Sequence, residues 1–79
     1  MKNLANHLVM DIYSPPGTKV LFQFPNNGYR NEHLRARSLM CVGNRSTVRA
    51  IEVGDCSSLV LLEEVPYVWF NTVFFANEP

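Results

Sequence analysis

The chain has 79 residues, of which 47% are hydrophobic and 18% are charged. A chain of this length buries only about 60% of its extended surface, which excludes a second domain with its own core. Seven Lys plus Arg balance seven Asp plus Glu, so the molecule as a whole has no long-range attraction for a polyanion. We therefore expect one folded domain that spans residues 1–79.

The charges are divided between two parts of the chain. Residues 30–49 contain five arginines and one acid, Glu32, whereas residues 52–64 contain four acids and no base. Opposite fields on the two halves of the fold suit a protein partner or head-to-tail self-association at least as well as nucleic acid. An ordinary solvated surface would show the same division.

Cysteine usage and hydropathy bear on location and on cofactors. Cys41 and Cys56 have no C-x-x-C spacing and no neighbouring histidine, so the sequence predicts no metal site and no cofactor. Polar residues interrupt the N-terminal apolar pieces before a secretory signal can form, and no apolar run reaches the roughly 18 residues of a membrane helix. We interpret the chain as a cytosolic protein, without membrane contact and with two reduced, buried thiols.

The first third of the chain carries helix and strand patterns separated by turn residues. Residues 1–13 have apolar positions at spacings of three and four, which predict a short amphipathic helix; an edge strand over residues 8–13 is the alternative. Ser14, Pro15, Pro16 and Gly17 end that segment, because neither proline can donate a backbone hydrogen bond. The main part of the fold, which we expect to be a small β-barrel, is predicted over residues 18–75.

Residues 18–24 alternate Val20, Phe22 and Phe24 with a second face and predict a strand. Residues 25–28, Pro-Asn-Asn-Gly, predict a turn. In the connection 29–40 that follows, residues 31–39 fit one or two helical turns with Asn31 as the N-cap, or else an irregular loop.

The second half of the chain predicts a β-hairpin and two short strands. Residues 46–53 alternate Val48 and Ala50 against Thr47, Arg49 and Ile51, and residues 58–62 form the next strand, apolar on both faces. Pro66 forbids a central ladder position, so residues 68–70 and 72–75 are expected near an edge, followed by a polar tail at 76–79. The core candidates in this half are Leu59, Leu61, Val68, Phe70, Val73 and Phe75. The expected fold is mainly β, a small barrel of four to five strands.

Several motifs carry a family resemblance. They are Val42-Gly43, Thr47-Val48-Arg49, Ile51-Glu52-Val53-Gly54, Ser57-Ser58, Leu62-Glu63-Glu64-Val65-Pro66 and Phe70-Asn71-Thr72-Val73-Phe74-Phe75. The pattern resembles small phage- and prophage-encoded proteins with a Src-homology-three-like (SH3-like) β-barrel. Arg45-Ser46, Cys56 and Tyr67 depart from the family pattern. Most members have no assigned activity, so the resemblance implies a fold and a mobile-element origin rather than a reaction.

The residues that usually carry catalysis are scattered. His7 and His33 lie apart from any Ser, Cys or Asp at a triad or metal spacing, and solvated surface histidines are the expected reading. Glu63 and Glu64 are adjacent, so on a strand they point to opposite faces and cannot share an acid–base site. The four glycines are single and form no phosphate loop. We expect no enzymatic activity.

Three functions remain as hypotheses. The leading one is a protein-binding module that modulates a host or phage protein, for example as an inhibitor of a bacterial defence system. Its predicted partner-binding residues, chosen because Trp, Tyr and Arg dominate interface hot spots and because charges orient partners, are Tyr29, Arg35, Arg37, Arg49, Glu63, Glu64, Tyr67 and Trp69. The alternatives are a nucleic-acid-binding barrel that uses the arginines and exposed aromatics, and a structural homo-oligomer held by unpaired barrel edges or by the N-terminal helix.

Overall fold

A computed structural model describes residues 9–79, which form five strands, one α-helix and one short 3-10 turn. The strands are β1 (Lys19–Phe22), β2 (Arg45–Val53), β3 (Ser58–Leu62), β4 (Trp69–Asn71) and β5 (Phe75–Asn77). Helix α1 (Arg30–Leu39) connects β1 to β2, and the 3-10 turn Thr72–Phe74 connects β4 to β5.

The strands form one antiparallel sheet in the order β4-β3-β2-β1-β5. Leu21 of β1 lies opposite Arg45 of β2 on one side and Ala76 of β5 on the other, so the last strand returns to pair with the first. The mainly β prediction is confirmed as a five-stranded open sheet. Within residues 9–79 the ladder does not close into a ring.

An extra residue in β2 sets which side chains face the core. Val48 lies opposite Leu62 and Ala50 lies opposite the next residue, Leu61, so Arg49 is a β-bulge. The predicted grouping of Val48 with Ala50 is therefore wrong, because a bulge reverses the alternation beyond it. Ile51 packs against the core instead of Ala50.

The core lies on the inner side of this bent sheet. Its buried hydrophobic residues are Met10, Val20, Phe22, Ala36, Met40, Val48, Val60, Leu62, Val65, Phe70, Phe74 and Phe75. Phe75 of β5 lies 6.1 Å from Phe70 of β4, ring centre to ring centre, although these strands are at opposite ends of the strand order. The sheet therefore curls until its two end strands contact each other through their side chains.

The predicted core of the second half is correct for Phe70 and Phe75 and wrong for Leu59 and Leu61. In β3 the buried side chains are Val60 and Leu62, while Leu59 and Leu61 are half-buried on the opposite face. Because β3 is apolar on both faces, its alternation could not decide which face lies inside. Val68 and Val73 are half-buried rather than central.

The helix predicted in the 29–40 connection is present and extends over ten residues. Its N-cap is Tyr29 rather than Asn31, and the Glu32 carboxylate accepts a hydrogen bond of 3.0 Å from the Tyr29 backbone N–H. A glutamate at this third helical position satisfies a free N-terminal N–H group, as in a capping box. Ala36 is the fully buried residue of α1, and its small side chain lets the helix approach the core.

The turn before α1 requires a glycine at position 28. Gly28 has φ +79°, and a Cβ there would lie 2.9 Å from Glu32 Oε1 and 3.1 Å from Phe74 Cζ. Both the left-handed backbone and the close approach exclude larger residues. The turn therefore holds the start of α1 against the 3-10 turn.

Both ends of the chain differ from the predicted pattern. The predicted N-terminal helix falls mainly on residues 1–8, which lie outside the described residues. The alternative, an edge strand over residues 8–13, is wrong for the described part, because residues 9–13 are irregular. Met10 N–H donates to the Phe75 carbonyl over 2.7 Å. Residues 76 and 77, predicted as tail, continue β5, and the predicted strand at 72–75 begins as the 3-10 turn instead.

The cysteines and His33 also differ from their predicted environments. Cys41 and Cys56 are free thiols, but both are exposed because each lies in a connection flanking β2. His33 is half-buried on α1 rather than solvated, and its Nδ1 has no hydrogen-bond partner among residues 9–79. The helix turns this side chain towards the protein, an orientation that the sequence reading of a flexible connection did not anticipate.

Candidate interaction surface

The outer face of the sheet carries an apolar row that ends at an exposed tryptophan. Ala50, Leu61 and Trp69 lie opposite one another on neighbouring strands, and we call them the outer row. Directly opposed residues in antiparallel strands share a face, so these three side chains form one strip. Trp69, the only tryptophan of the chain, is 42% exposed and does not belong to the buried core.

Tyr67 lies beside this strip at the entry to β4. It is 74% exposed and follows Pro66 in the turn that leads from β3 into β4. A tyrosine ring exposed to this extent contributes little to the core and is available to a partner. Because a tyrosine side chain has few rotatable bonds, binding immobilises it at a low entropy cost. Tyr67 and Trp69 are thus two exposed aromatic side chains two residues apart.

The neighbouring glutamates have different roles in the structure. The two carboxylate oxygens of Glu64 accept hydrogen bonds of 2.8 Å from the Thr47 backbone N–H and hydroxyl. Lys19 Nζ in turn donates to the Thr47 hydroxyl over 2.6 Å. Partial desolvation raises the pKa of Glu64, but the Thr47 hydrogen bonds together with the Lys19 charge outweigh it and hold this pKa below its usual value.

Glu63 presents a free acidic side chain next to that pair. Its backbone N–H donates to the Thr47 carbonyl over 2.9 Å, but its carboxylate has no hydrogen bond or ion pair within residues 9–79. Of the two predicted acidic contacts, Glu63 is therefore available to a partner, and Glu64 is engaged within the chain. The sequence did not predict that Thr47 binds Glu64, because its pattern indicated only a β-branched residue in a strand.

The arginines occupy three different settings. Arg30, Arg35 and Arg37 are exposed along α1, and Arg37 reaches Asn26 Oδ1 over 3.4 Å. Arg49 is exposed at the bulge of β2, where an extra residue changes the direction of its side chain. Arg45 is held in an ion pair of 2.8 Å with Glu78.

Tyr29 is connected to the far end of β4. Glu32 Oε1, which caps the Tyr29 N–H, also accepts a hydrogen bond of 3.3 Å from Asn71 Nδ2. Tyr29 itself is 74% exposed. The start of α1 therefore lies against the C-terminal end of β4, whereas Tyr67 is in the turn that precedes the N-terminal end of β4.

Residues 9–79 offer no concave chemical site. They contain no pocket and no group of three or more histidine, cysteine or acidic side chains that could hold a metal ion. Among the same residues, no helix is long and apolar enough to cross a membrane. The exposed aromatic side chains of Tyr67 and Trp69 therefore lie on open surface and not in a pocket of the described residues.

Comparison with known proteins assigns the chain to a phage family. The family described as bacteriophage T4 protein Y07B matches residues 11–78, which include the helix and every strand described above. This match confirms the phage part of the resemblance drawn from the motifs. No curated protein and no solved structure matches the chain.

Proposed function

The chain belongs to the bacteriophage T4 protein Y07B family, and we propose that it is a non-catalytic protein-binding module that modulates a host or phage protein. The observation that carries this proposal is the exposure of Trp69 and Tyr67 beside the apolar outer row. Exposed aromatic anchors next to apolar surface are typical of interface hot spots. A component of a bacterial defence system, met in the host cytosol, is the kind of target that we propose.

The surrounding charges support a protein rather than a small molecule as the ligand. Glu63 is exposed and unpaired among residues 9–79 at the start of the turn that contains Tyr67, and Arg35 is exposed on α1 with no acidic partner among the same residues. Charges of both signs around an apolar centre orient a protein partner and raise its association rate. Small-molecule sites are usually concave, and residues 9–79 contain no pocket.

We also propose the finer fold assignment, an SH3-like barrel. The return of β5 to β1, the bulge that bends β2 and the short turn between β4 and β5 support it. The contact of Phe70 with Phe75 across the two ends of the sheet supports it as well. A solved structure with strand tilt and shear outside the range of such barrels would contradict this assignment.

The protein-binding proposal is tested by affinity capture from infected and uninfected bacterial lysates. We expect a captured protein that is retained by the wild type and lost by Tyr67→Ala and by Trp69→Ala. Tyr13→Ala is the matched control, because Tyr13 is 77% exposed in the 9–13 segment. The captured protein is then purified, and each anchor variant should weaken its affinity about 30-fold, as expected of a hot spot worth about 2 kcal/mol. Equal capture by all variants would contradict the proposal.

Nucleic-acid binding is the second candidate, favoured by the three exposed arginines of α1. Fluorescence anisotropy with short single- and double-stranded oligonucleotides separates it from the first. Phosphate contacts would produce affinity that falls steeply with salt and weakens for Arg35→Glu or Arg49→Glu. A flat titration at low salt would remove this candidate.

A further inference from the structure

The turn before α1 contains the one asparagine of the chain that is followed by glycine. Asn27 and Gly28 are both exposed, and the Gly28 N–H has no hydrogen bond among residues 9–79. The Asn27 side chain contacts the 3-10 turn, because its Nδ2 donates to the Val73 carbonyl over 2.9 Å. An unbonded backbone nitrogen therefore directly follows an asparagine side-chain amide on the surface of the folded chain.

We propose that Asn27 is a site of spontaneous deamidation in the folded chain. The Gly28 nitrogen forms a bond to Asn27 Cγ, the Cγ–Nδ2 bond breaks, and Nδ2 leaves as ammonia with the proton of the Gly28 N–H. Water then opens the cyclic succinimide at either carbonyl, which produces aspartate or isoaspartate at position 27. The reaction needs only water as a co-reactant, and it does not depend on the protein-binding function proposed above.

The glycine that follows Asn27 makes this ring closure accessible. Gly28 has no Cβ to obstruct the attacking nitrogen, and its φ of +79° is a conformation that other residues rarely adopt. The fold requires the same glycine, because a Cβ there would lie 2.9 Å from Glu32 Oε1 and 3.1 Å from Phe74 Cζ. The packing that requires Gly28 therefore also leaves Asn27 open to this reaction.

Deamidation changes the contact between this turn and the 3-10 turn. A carboxylate oxygen replaces the Nδ2 donor, and an ionised carboxylate can only accept hydrogen bonds, so the bond to the Val73 carbonyl is lost. The new negative charge is also adjacent in sequence to Gly28, which lies close to the Glu32 carboxylate. Because Glu32 caps α1 at the exposed Tyr29, we expect the start of the helix to loosen after deamidation.

The experiment is incubation of the folded full chain in mildly alkaline buffer, followed by peptide mass spectrometry. We expect conversion at Asn27 to be faster than at Asn44, which is also exposed in a turn but is followed by Arg45. Asn27→Gln should remove the acidic species that ion exchange separates from the wild type, since a longer side chain does not form the same ring. Conversion at Asn27 no faster than at Asn44 overturns the proposal, as does conversion that occurs only when urea unfolds the chain.

Asn27→Asp reproduces the charge and the lost donor of the aspartate product, so it measures the effect on α1 directly. Amide exchange in α1 should be roughly 2-fold to 10-fold faster than in the wild type, as expected for the loss of one net hydrogen bond. Asn44→Asp is the matched control, because it adds the same charge while its Oδ1 still accepts from the Cys41 N–H. Circular dichroism verifies that both variants are folded, and equal exchange in the two would contradict the loosening of the helix.

Discussion

At the scale of single residues, adjacent side chains of the same type have different physical roles. Glu64 accepts two hydrogen bonds from Thr47 and lies near the positive charge of Lys19, while the Glu63 carboxylate has no partner within residues 9–79. Glu64 therefore ties the corner after β3 to the first part of β2. The pair of glutamates offers a direct comparison between a stabilising and a solvated carboxylate.

Glu64→Gln should lower the free energy of unfolding by about 0.5–1 kcal/mol at neutral pH, because it removes a charged acceptor at a largely solvated site. The pKa of Glu64 is lower in the folded chain than in the unfolded chain. Its stabilisation is therefore present above the unfolded-state pKa and is lost as the pH falls through the folded-state pKa. Urea unfolding between neutral pH and the acid range measures both effects.

Glu63→Gln is the control for that experiment and should leave stability nearly unchanged. The difference in stability between the wild type and Glu64→Gln should shrink as the pH falls. A difference that stays constant across the acid range would show that the Thr47 hydrogen bonds do not depend on the Glu64 charge.

At the scale of elements, Glu32 connects the helix to the sheet. Its Oε1 accepts from the Tyr29 N–H at the start of α1 and from Asn71 Nδ2 at the end of β4. A residue that both caps a helix and fixes its position relative to a strand stabilises the local element and its docking together.

Glu32→Ala should lower the free energy of unfolding by about 1–2 kcal/mol, since it removes a helix cap and a tertiary hydrogen bond. Amide exchange in α1 should increase more than exchange in β2 and β3, because the helix loses its attachment first. Arg30→Ala, in the same helical turn but exposed and without an ion pair within residues 9–79, serves as the control. Equal exchange rates in the two variants would refute the connecting role of Glu32.

The elements also show what sequence reasoning could and could not reach. Strand β3 was predicted with its observed bounds, and β2 to within one residue, because β-branched runs end at clear turn residues. The buried face of β3 was not predictable, since both faces are apolar, and the bulge at Arg49 leaves no local signal.

The helix cap and the exposure of the candidate surface also depend on tertiary contacts that the sequence pattern does not show. Tyr29 is not a preferred capping residue, and its cap depends on Glu32, whose position is fixed by contact with Asn71. Tyr67 and Trp69 were predicted as partner-binding residues, but the sequence could not show that they are exposed, because small barrels also use aromatic residues in the core. Exposure follows from strand order, which no single stretch of sequence encodes.

At the scale of the whole molecule, one core joins all parts of the sheet. Phe75 lies 5.9 Å from Phe22 of β1 and 6.1 Å from Phe70 of β4, measured between ring centres. Val20 and Val60 are fully buried in β1 and β3 on either side of this cluster. Since residues 9–79 form one hydrophobic core, the two ends of the sheet should unfold together.

Val20→Ala and Val60→Ala should each lower the free energy of unfolding by about 2 kcal/mol, which corresponds to roughly 8–16 °C in melting temperature for a domain of this size. Trp69 fluorescence reports the β3–β4 side of the sheet, and far-UV circular dichroism reports the whole chain. At one fixed protein concentration, both signals should shift by the same amount in both variants, because β1 and β3 contribute to one cooperative unit. Val42→Ala, at a 58% exposed position in the turn before β2, should leave both midpoints nearly unchanged. If Val20→Ala shifted the circular dichroism transition and left the Trp69 transition in place, the two sides of the sheet would be separate folding units, and the continuity of the phenylalanine cluster would not couple them.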